Sequence, residues 1–152
     1  KKNGMKFKVF QQCLEGQKLE LQKKYNNSKI NFELFSFTFD ILKYYNLSNL
    51  VITRAGSSAL AELLNCEIPI ISIPLASSAE NHQLKNAKYF DDKGFGIMVE
   101  EKDLKNKLFN LLQSIHKDKS MLNLIKKNQK KHSDKNVFMN IKEEIAKLFY
   151  EN

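Results

Sequence analysis

Short apolar segments alternate with amphipathic segments from residue 5 to residue 99. Met5, Phe7 and Val9 alternate with polar neighbours, which is typical of a half-buried strand. Residues 68–73 form a mainly apolar run that contains Pro69 and ends before Pro74, which indicates another strand. The pattern predicts strands over residues 5–13, 30–37, 50–53, 68–73 and 96–99, and helices over 16–25, 39–45, 57–64 and 79–92. Because strands alternate with helices, the predicted fold is α/β with a Rossmann-like, doubly wound parallel sheet.

After about residue 102 the pattern becomes helical throughout. Helices are predicted over residues 102–114, 120–130 and 134–150, and the last carries Val137, Ile141 and Ile145 at helical spacing. There is no internal repeat, low-complexity tract or linker. We therefore expect a single domain over residues 1–152 with a helical C-terminal extension.

The charge of the chain is strongly positive. Among its 152 residues the net charge is +8, which favours anionic partners such as nucleic acid, phospholipid headgroups or nucleotide phosphates. Much of the excess lies late, at Lys117, Lys119, Lys126, Lys127, Lys130, Lys131 and Lys135. The interleaving of aromatic and basic residues found in RNA-binding sheets is missing there, so we expect a solvated helix face and no nucleic-acid partner.

The remaining composition indicates an ordinary globular protein. Hydrophobic residues make up 42% of the chain, yet no apolar run reaches the ~18 residues of a membrane-spanning helix. No secretory signal follows the polar start of the chain. Cys13 and Cys66 lack metal-site spacing and are predicted to be buried, reduced thiols. Phe32, Phe35, Phe37 and Phe39 are predicted core residues, and His116 and His132 are predicted surface residues.

The most informative segment joins the strand over residues 50–53 to the helix that starts at Ser57. Gly56 and Ser57 form a small turn at this junction, and a helix start binds anions through its unpaired N–H groups and its dipole. Glu62 is a lone carboxylate about one turn further on. A phosphate site beside an acid indicates a nucleotide, whose sugar hydroxyls the acid would hold. The turns over 37–40, 55–58 and 75–81 all follow strands and should share the ligand-binding edge of the sheet.

These motifs resemble the C-terminal domain of the MurG family of UDP-N-acetylglucosamine transferases. The family pattern is D-L-V-I-S-R-A-G-A-x-T-x-x-E-L, then G-x-P-x-I-x-I-P, then H-Q-x-x-N-A. It corresponds here to residues 49–63, 67–74 and 82–87. Residues 10–13 and 37–40 resemble two further family segments, and the resemblance covers about residues 5–115.

The resemblance implies a role for each motif residue. The family has two Rossmann-like domains in a GT-B fold, and the nucleotide sugar binds mainly to the C-terminal one. The main chain at Thr38 would meet the uracil edge, and Glu62 would hold both ribose hydroxyls. Ser57, Ser58 and Ala59 would bind the diphosphate and sugar, and His82 and Gln83 would contact the GlcNAc hydroxyls. Asn86 would fasten the loop, and Arg54 and Gly56 would position it.

Some family features are absent or altered. Asn49 replaces the usual Asp, and Ser57 and Ala59 replace the usual Ala and Thr of the turn. The glycine-rich G-G-S-x-G-A loop is missing, as is the G-T-G-G-H loop of the acceptor domain that carries the proposed general base. The chain is therefore expected to be most of one half of the enzyme, truncated at its N-terminus and inactive alone.

The resemblance also implies the reaction and the partners. The expected reaction is an inverting transfer of GlcNAc from UDP-GlcNAc to a lipid-linked muramyl pentapeptide (lipid I to lipid II), bound through the missing N-terminal domain. It would occur in the bacterial cytoplasm, on the inner face of the membrane. No cofactor and no metal are expected, because Asp91 and Asp92 do not form an Asp-x-Asp motif and are predicted to face water.

Three alternatives remain open from the sequence. The chain could be the catalytic subunit of a two-chain UDP-GlcNAc transferase that makes lipid-linked sugar. It could instead be a non-catalytic module that binds a nucleotide or a partner. A basic nucleic-acid binder is the third possibility, and salt-dependent retention on DNA or RNA would favour it.

Overall fold

The computed structural model describes residues 6–132, apart from the side chain of Ala79. The chain forms two compact units that divide between Leu47 and Ser48. Each unit contains parallel strands connected by helices, so the predicted α/β class is confirmed. The expectation of a single UDP-sugar-binding domain over the whole chain stays a prediction.

The first unit is a two-stranded parallel sheet with two helices. Its elements are β1 (Lys8–Gln12), α1 (Lys18–Ser28), β2 (Asn31–Phe35) and α2 (Ile41–Leu47), with a 3-10 turn over Glu15–Gln17. In the sheet Val9 lies opposite Phe32 and Gln11 lies opposite Leu34. The Phe32 ring stacks on Tyr25 of α1, and the Phe35 ring stacks on Tyr44 of α2. Since Phe32 and Phe35 point to opposite faces of β2, one helix covers each face.

The prediction that Phe37 and Phe39 are core residues is wrong. Their exposed fractions are 74% and 99%, and their rings contact each other edge to face at 5.0 Å. Both lie in the turn after β2, beyond the faces that the helices cover. Phe32 and Phe35 are partly buried, because they lie within the strand.

The second unit is a three-stranded parallel sheet in the order β3-β4-β5. Its elements are β3 (Val51–Thr53), α3 (Ser57–Asn65), β4 (Ile70–Ser72), α4 (His82–Asp92), β5 (Ile97–Met98), α5 (Leu104–Lys117) and α6 (Ser120–Lys131), with 3-10 turns over Ala79–Asn81 and Glu101–Asp103. Val51 lies opposite Ile70, and Ile71 lies opposite Ile97. The carboxyl ends of all three strands therefore meet at one edge, as in other parallel sheets.

The core of the second unit surrounds β4. All three residues of this central strand are buried, as are Leu60 and Leu63 on the inner face of α3. A cluster of Ile71, Val99, Ile115 and Leu122 joins the sheet to α5 and α6. The predicted helices over residues 102–114 and 120–130 are thus confirmed as α5 and α6, whereas the predicted helix over 134–150 lies outside the described residues.

Three other local predictions need correction. Cys13 is buried as expected, but Cys66 is exposed because it ends α3 at the surface. Asp91 was expected only to face water, yet its Oδ1 accepts a hydrogen bond of 3.0 Å from the Met98 N–H. The helix predicted over 79–92 begins as α4 only at His82, because Glu80 and Asn81 adopt left-handed backbone angles.

Candidate functional site

The turn between β3 and α3 forms the centre of the site. Gly56 is the N-cap of α3 in an extended conformation, and the Leu60 N–H donates the first helical hydrogen bond to its carbonyl at 3.0 Å. The amides of Ser57, Ser58 and Ala59 precede that bond, and Gly56 has no side chain with which to cap them. Such a helix start favours an anion through its N–H groups and the helix dipole.

Gly56 leaves open space at this helix start. A Cβ placed on it would meet no heavy atom of the described chain within 4 Å, and its φ of −69° suits any residue. Glycine is therefore not required here by the fold of the second unit. A methyl group at this position would project into open space.

Glu62 follows Ser58 by four residues and so lies on the same face of α3. Both side chains are exposed. Partial burial raises the pKa of the Cys66 thiol, and the negative charge of Glu62, one turn earlier on α3, raises it further. A carboxylate beside the helix start can accept two hydrogen bonds from a vicinal diol.

Asn86 on α4 fastens the turn. Its Nδ2 donates a hydrogen bond of 3.1 Å to the carbonyl of Ala55, the residue before Gly56. Ala55 is fully buried and Asn86 is partly buried. This contact connects the β3–α3 turn with α4, and the role of Asn86 in a ligand-binding loop stays a prediction.

The loop between β4 and α4, residues 73–81, carries the next part of the site. Gln83 lies just after it, and its Oε1 accepts a 2.9 Å hydrogen bond from the Leu75 N–H. His82 is exposed, with its Nε2 3.5 Å from Oε2 of Glu80. Glu80 and Asn81 have φ values of 46° and 56°, which β-carbon-bearing residues rarely adopt. These two residues turn the chain sharply into α4.

An ion pair connects the β3–α3 turn with the segment after β5, and both of its members bind this loop. Arg54 Nη1 lies 2.6 Å from Oε1 of Glu101 and also donates to the carbonyl of Ile73 at 3.3 Å. The other carboxylate oxygen of Glu101 accepts from the Ala76 N–H at 3.5 Å. The Arg54 guanidinium, and then the Ala76 amide, hold the pKa of Glu101 below its usual value of 4.5. The sequence analysis missed Glu101, although its position just beyond β5 places a carboxylate at the same sheet edge.

The second unit thus brings nearly all the predicted site residues to one edge. The residues at the carboxyl edge of its sheet are Arg54, Gly56, Ser57, Ser58, Ala59, Glu62, His82, Gln83 and Asn86. Thr38 lies in the first unit, in the turn after β2, where its Oγ1 accepts a 3.0 Å hydrogen bond from the Asp40 N–H. A part for Thr38 in ligand binding stays a prediction.

Within residues 6–132 there is no group of three His, Cys, Asp or Glu side chains placed to hold a metal ion. A helix long and apolar enough to cross a membrane is likewise not found in this described part. An open cavity of about 180 Å³ lies beside the β4–α4 loop, with Leu75, Ala76, Leu84 and Glu101 among its lining residues.

Parallel strands with an open helix start at their carboxyl edge are typical of α/β nucleotide-binding proteins. The chain belongs to glycosyltransferase family 28: the profile of the glycosyltransferase family 28 C-terminal domain matches residues 1–145. The resemblance to the MurG family that the motifs indicate is confirmed.

Two relatives illustrate the match. The chain is 35% identical over 148 residues to a UDP-N-acetylglucosamine–N-acetylmuramyl-(pentapeptide) pyrophosphoryl-undecaprenol N-acetylglucosamine transferase of Pelagibacter ubique, covering 97% of this chain and 42% of the relative. The protein of the same name from Rickettsia bellii is 32% identical over 138 residues, covering 87% of this chain and 39% of the relative. The chain therefore spans about two fifths of the length of these relatives.

Solved structures support the fold. Acinetobacter baumannii MurG superposes with a TM-score of 0.76 at 22% identity, covering 87% of this chain and 39% of that one. The Streptomyces glycosyltransferase SsfS6, solved with thymidine diphosphate, gives a TM-score of 0.52 at 14% identity, covering 80% of this chain and 36% of that one. At these identities both likenesses bear on the fold alone.

Proposed function

We propose that this chain is the donor-binding half of an inverting glycosyltransferase that transfers GlcNAc from UDP-GlcNAc to a lipid-linked muramyl pentapeptide. Family membership and the names of the relatives support the proposal. The observation that carries it is the helix start at Ser57, fastened through the Asn86–Ala55 hydrogen bond, with Glu62 on the same helix.

The nucleotide would be bound by the amides at the start of α3 and by Glu62, about one turn further along the same helix. The amides of Ser57, Ser58 and Ala59 would donate hydrogen bonds to the diphosphate oxygens, whose negative charge the helix start favours. Glu62 accepts hydrogen bonds from the two ribose hydroxyls, and such charge-assisted bonds are stronger than neutral ones. The main chain at Thr38 would meet the uracil edge.

The sugar would lie next to the start of α4. His82 has an exposed ring there, and Gln83 keeps its amide nitrogen as a donor while its oxygen binds the Leu75 N–H. Both side chains can donate hydrogen bonds to hydroxyl oxygens. Arg54 and Gly56 would position the loop and the turn rather than hold the ligand.

The chemistry would be a single displacement at the anomeric carbon. The acceptor hydroxyl oxygen forms a bond to this carbon, the bond to the diphosphate oxygen breaks, and UDP leaves with the electron pair. The hydroxyl proton goes to a general base, which we assign to an N-terminal domain outside this chain. The start of α3 stabilises the charge that develops on the leaving diphosphate, as preorganised N–H groups do.

The whole enzyme would act at the inner face of the bacterial membrane, where a lipid-linked acceptor would lie. The positive charge of the chain would favour anionic lipid headgroups, at about 1 kcal/mol for each well-placed Lys or Arg. The N-terminal domain outside this chain would bind the acceptor. The 152-residue chain alone is expected to show no transfer.

Calorimetric titration with UDP-GlcNAc, UDP and ADP tests the proposal. We expect the two uridine ligands to bind, ADP to bind more weakly, and Glu62→Ala to lose most of the affinity. Glu20→Ala is a matched control, because Glu20 is an exposed helical glutamate of the first unit, paired with Lys24. If the folded chain binds neither uridine ligand, the proposal is wrong and a non-catalytic module is the better account.

A further inference from the structure

The β4–α4 loop is held in place by side chains from three different elements. Gln83 binds the Leu75 N–H, Arg54 binds the Ile73 carbonyl, and Glu101 binds the Ala76 N–H. Glu101 also pairs with Arg54, so two of the three attachments depend on one ion pair.

Part of this loop faces solvent. Ala76 and Ser77 are exposed, and Leu75 and Ala76 line the open cavity of about 180 Å³. Two consecutive left-handed residues, Glu80 and Asn81, follow in the same loop. Because apolar contacts do not fill the cavity, the position of the loop depends on its polar attachments more than a packed loop would.

The ion pair joins the two halves of the proposed donor site. Arg54 directly precedes the Ala55–Gly56 turn that leads to the phosphate-binding amides. Its partner Glu101 holds the loop that leads to His82 and Gln83. The pair therefore relates the position of the phosphate site to that of the sugar site.

We propose that Glu101 is a positioning residue for the donor sugar, acting through Arg54 and the Ala76 amide on the β4–α4 loop. This inference rests on the proposed function, because it assumes a UDP-sugar at this edge. Glu101 touches no part of the ligand. Its removal should disturb recognition of GlcNAc and leave recognition of UDP nearly intact, since the Asn86–Ala55 hydrogen bond still fastens the turn that leads to the start of α3.

The test compares UDP with UDP-GlcNAc on the same 152-residue chain. For Glu101→Ala we expect the dissociation constant for UDP-GlcNAc to rise roughly fivefold, which is the upper range for a largely exposed ion pair. The dissociation constant for UDP should change less than about twofold. Glu101→Gln keeps an oxygen for the Ala76 amide and should fall between. Glu100→Ala is the matched control, because Glu100 lines the same cavity but its carboxylate pairs with Lys102 at 2.8 Å and makes no hydrogen bond to the loop in the described structure.

Two outcomes would overturn the inference. Equal weakening of both ligands by Glu101→Ala would indicate a general structural role, and no weakening of UDP-GlcNAc would indicate no role. If the unmodified chain binds neither ligand, the proposed function fails and the inference fails with it.

A second measurement separates these failures without any ligand. Amide hydrogen exchange at Ala76 should become faster in Glu101→Ala and stay unchanged in Glu100→Ala, because only the first variant loses the hydrogen bond. Faster exchange without a change in UDP-GlcNAc affinity would show that the Glu101–Ala76 hydrogen bond exists but has no part in donor recognition.

Discussion

Gln129 provides a stability test that should leave the donor site unaffected. This residue of α6 is fully buried, and its Nε2 donates to the carbonyls of Ile68 at 2.9 Å and Phe95 at 2.8 Å. Ile68 precedes β4 and Phe95 precedes β5, so both bonds lie at the amino-terminal edge of the sheet. The proposed donor site lies at the opposite edge.

The expected loss follows from these contacts. Each of the two hydrogen bonds contributes about 1 kcal/mol net, and the one side-chain methylene that alanine lacks contributes about 0.8 kcal/mol. Gln129 Oε1 is buried without a partner in the described structure, so removing it returns about 1 kcal/mol. Gln129→Ala should therefore lower the free energy of unfolding by about 2 kcal/mol. Gln129→Met keeps the methylenes and should lose about 1 kcal/mol.

Urea denaturation at neutral pH measures both values, and an unchanged slope would show that only stability has changed. Titration with UDP below the transition should give the same dissociation constant for all three proteins. A loss below about 0.5 kcal/mol for Gln129→Ala would refute the reasoning, because surface substitutions alone give that much. A change in UDP affinity in the stable Met variant would also contradict it, since the two sheet edges would then be coupled.

Three further predictions concern the site itself. Gly56→Ala should keep the melting temperature, because its methyl group meets open space in the described structure. The variant should bind UDP more weakly, because the methyl group would crowd a diphosphate bound at the start of α3. Gly16→Ala, with equally open surroundings, is the control for calorimetry. Asn86→Ala should lower the unfolding free energy by about 1 kcal/mol in urea and weaken UDP and UDP-GlcNAc alike, because the turn at Ala55 loses its anchor. Since the folded pKa of Glu101 lies below its usual 4.5, its ion pair stabilises the chain above pH 4.5 and is lost as pH falls through the folded pKa; the stability of Glu101→Gln should therefore depend less on pH between 3 and 5. Equal pH dependence of the two proteins would argue against that ion pair.

The fold class could be predicted because each element carries its own local signal. β4 is a short apolar run between prolines, and α3 places Leu60 and Leu63 on one inward face. Such periodicity is independent of the rest of the chain. The strand ends were predicted too long, because residues beyond the ladder hydrogen bonds have the same apolar character as those within it.

The polar contacts of the site could not be predicted in the same way. Arg54 and Glu101 are far apart in sequence and meet only because β3, β4 and β5 run parallel in that order. The Asp91–Met98 hydrogen bond likewise depends on how α4 returns to the sheet. Phe37 was assigned to the core from hydrophobicity alone, which does not show where a strand ends.

The measurement that most directly tests the account compares UDP with 2′-deoxy-UDP on the unmodified chain and on Glu62→Ala. If Glu62 accepts hydrogen bonds from both ribose hydroxyls, the unmodified chain should prefer UDP by roughly tenfold, as expected for one charge-assisted hydrogen bond. The variant should bind both ligands weakly and equally. An unmodified chain that binds the two ligands equally, or a variant that keeps the preference, would contradict the assignment of α3 as the nucleotide-binding helix.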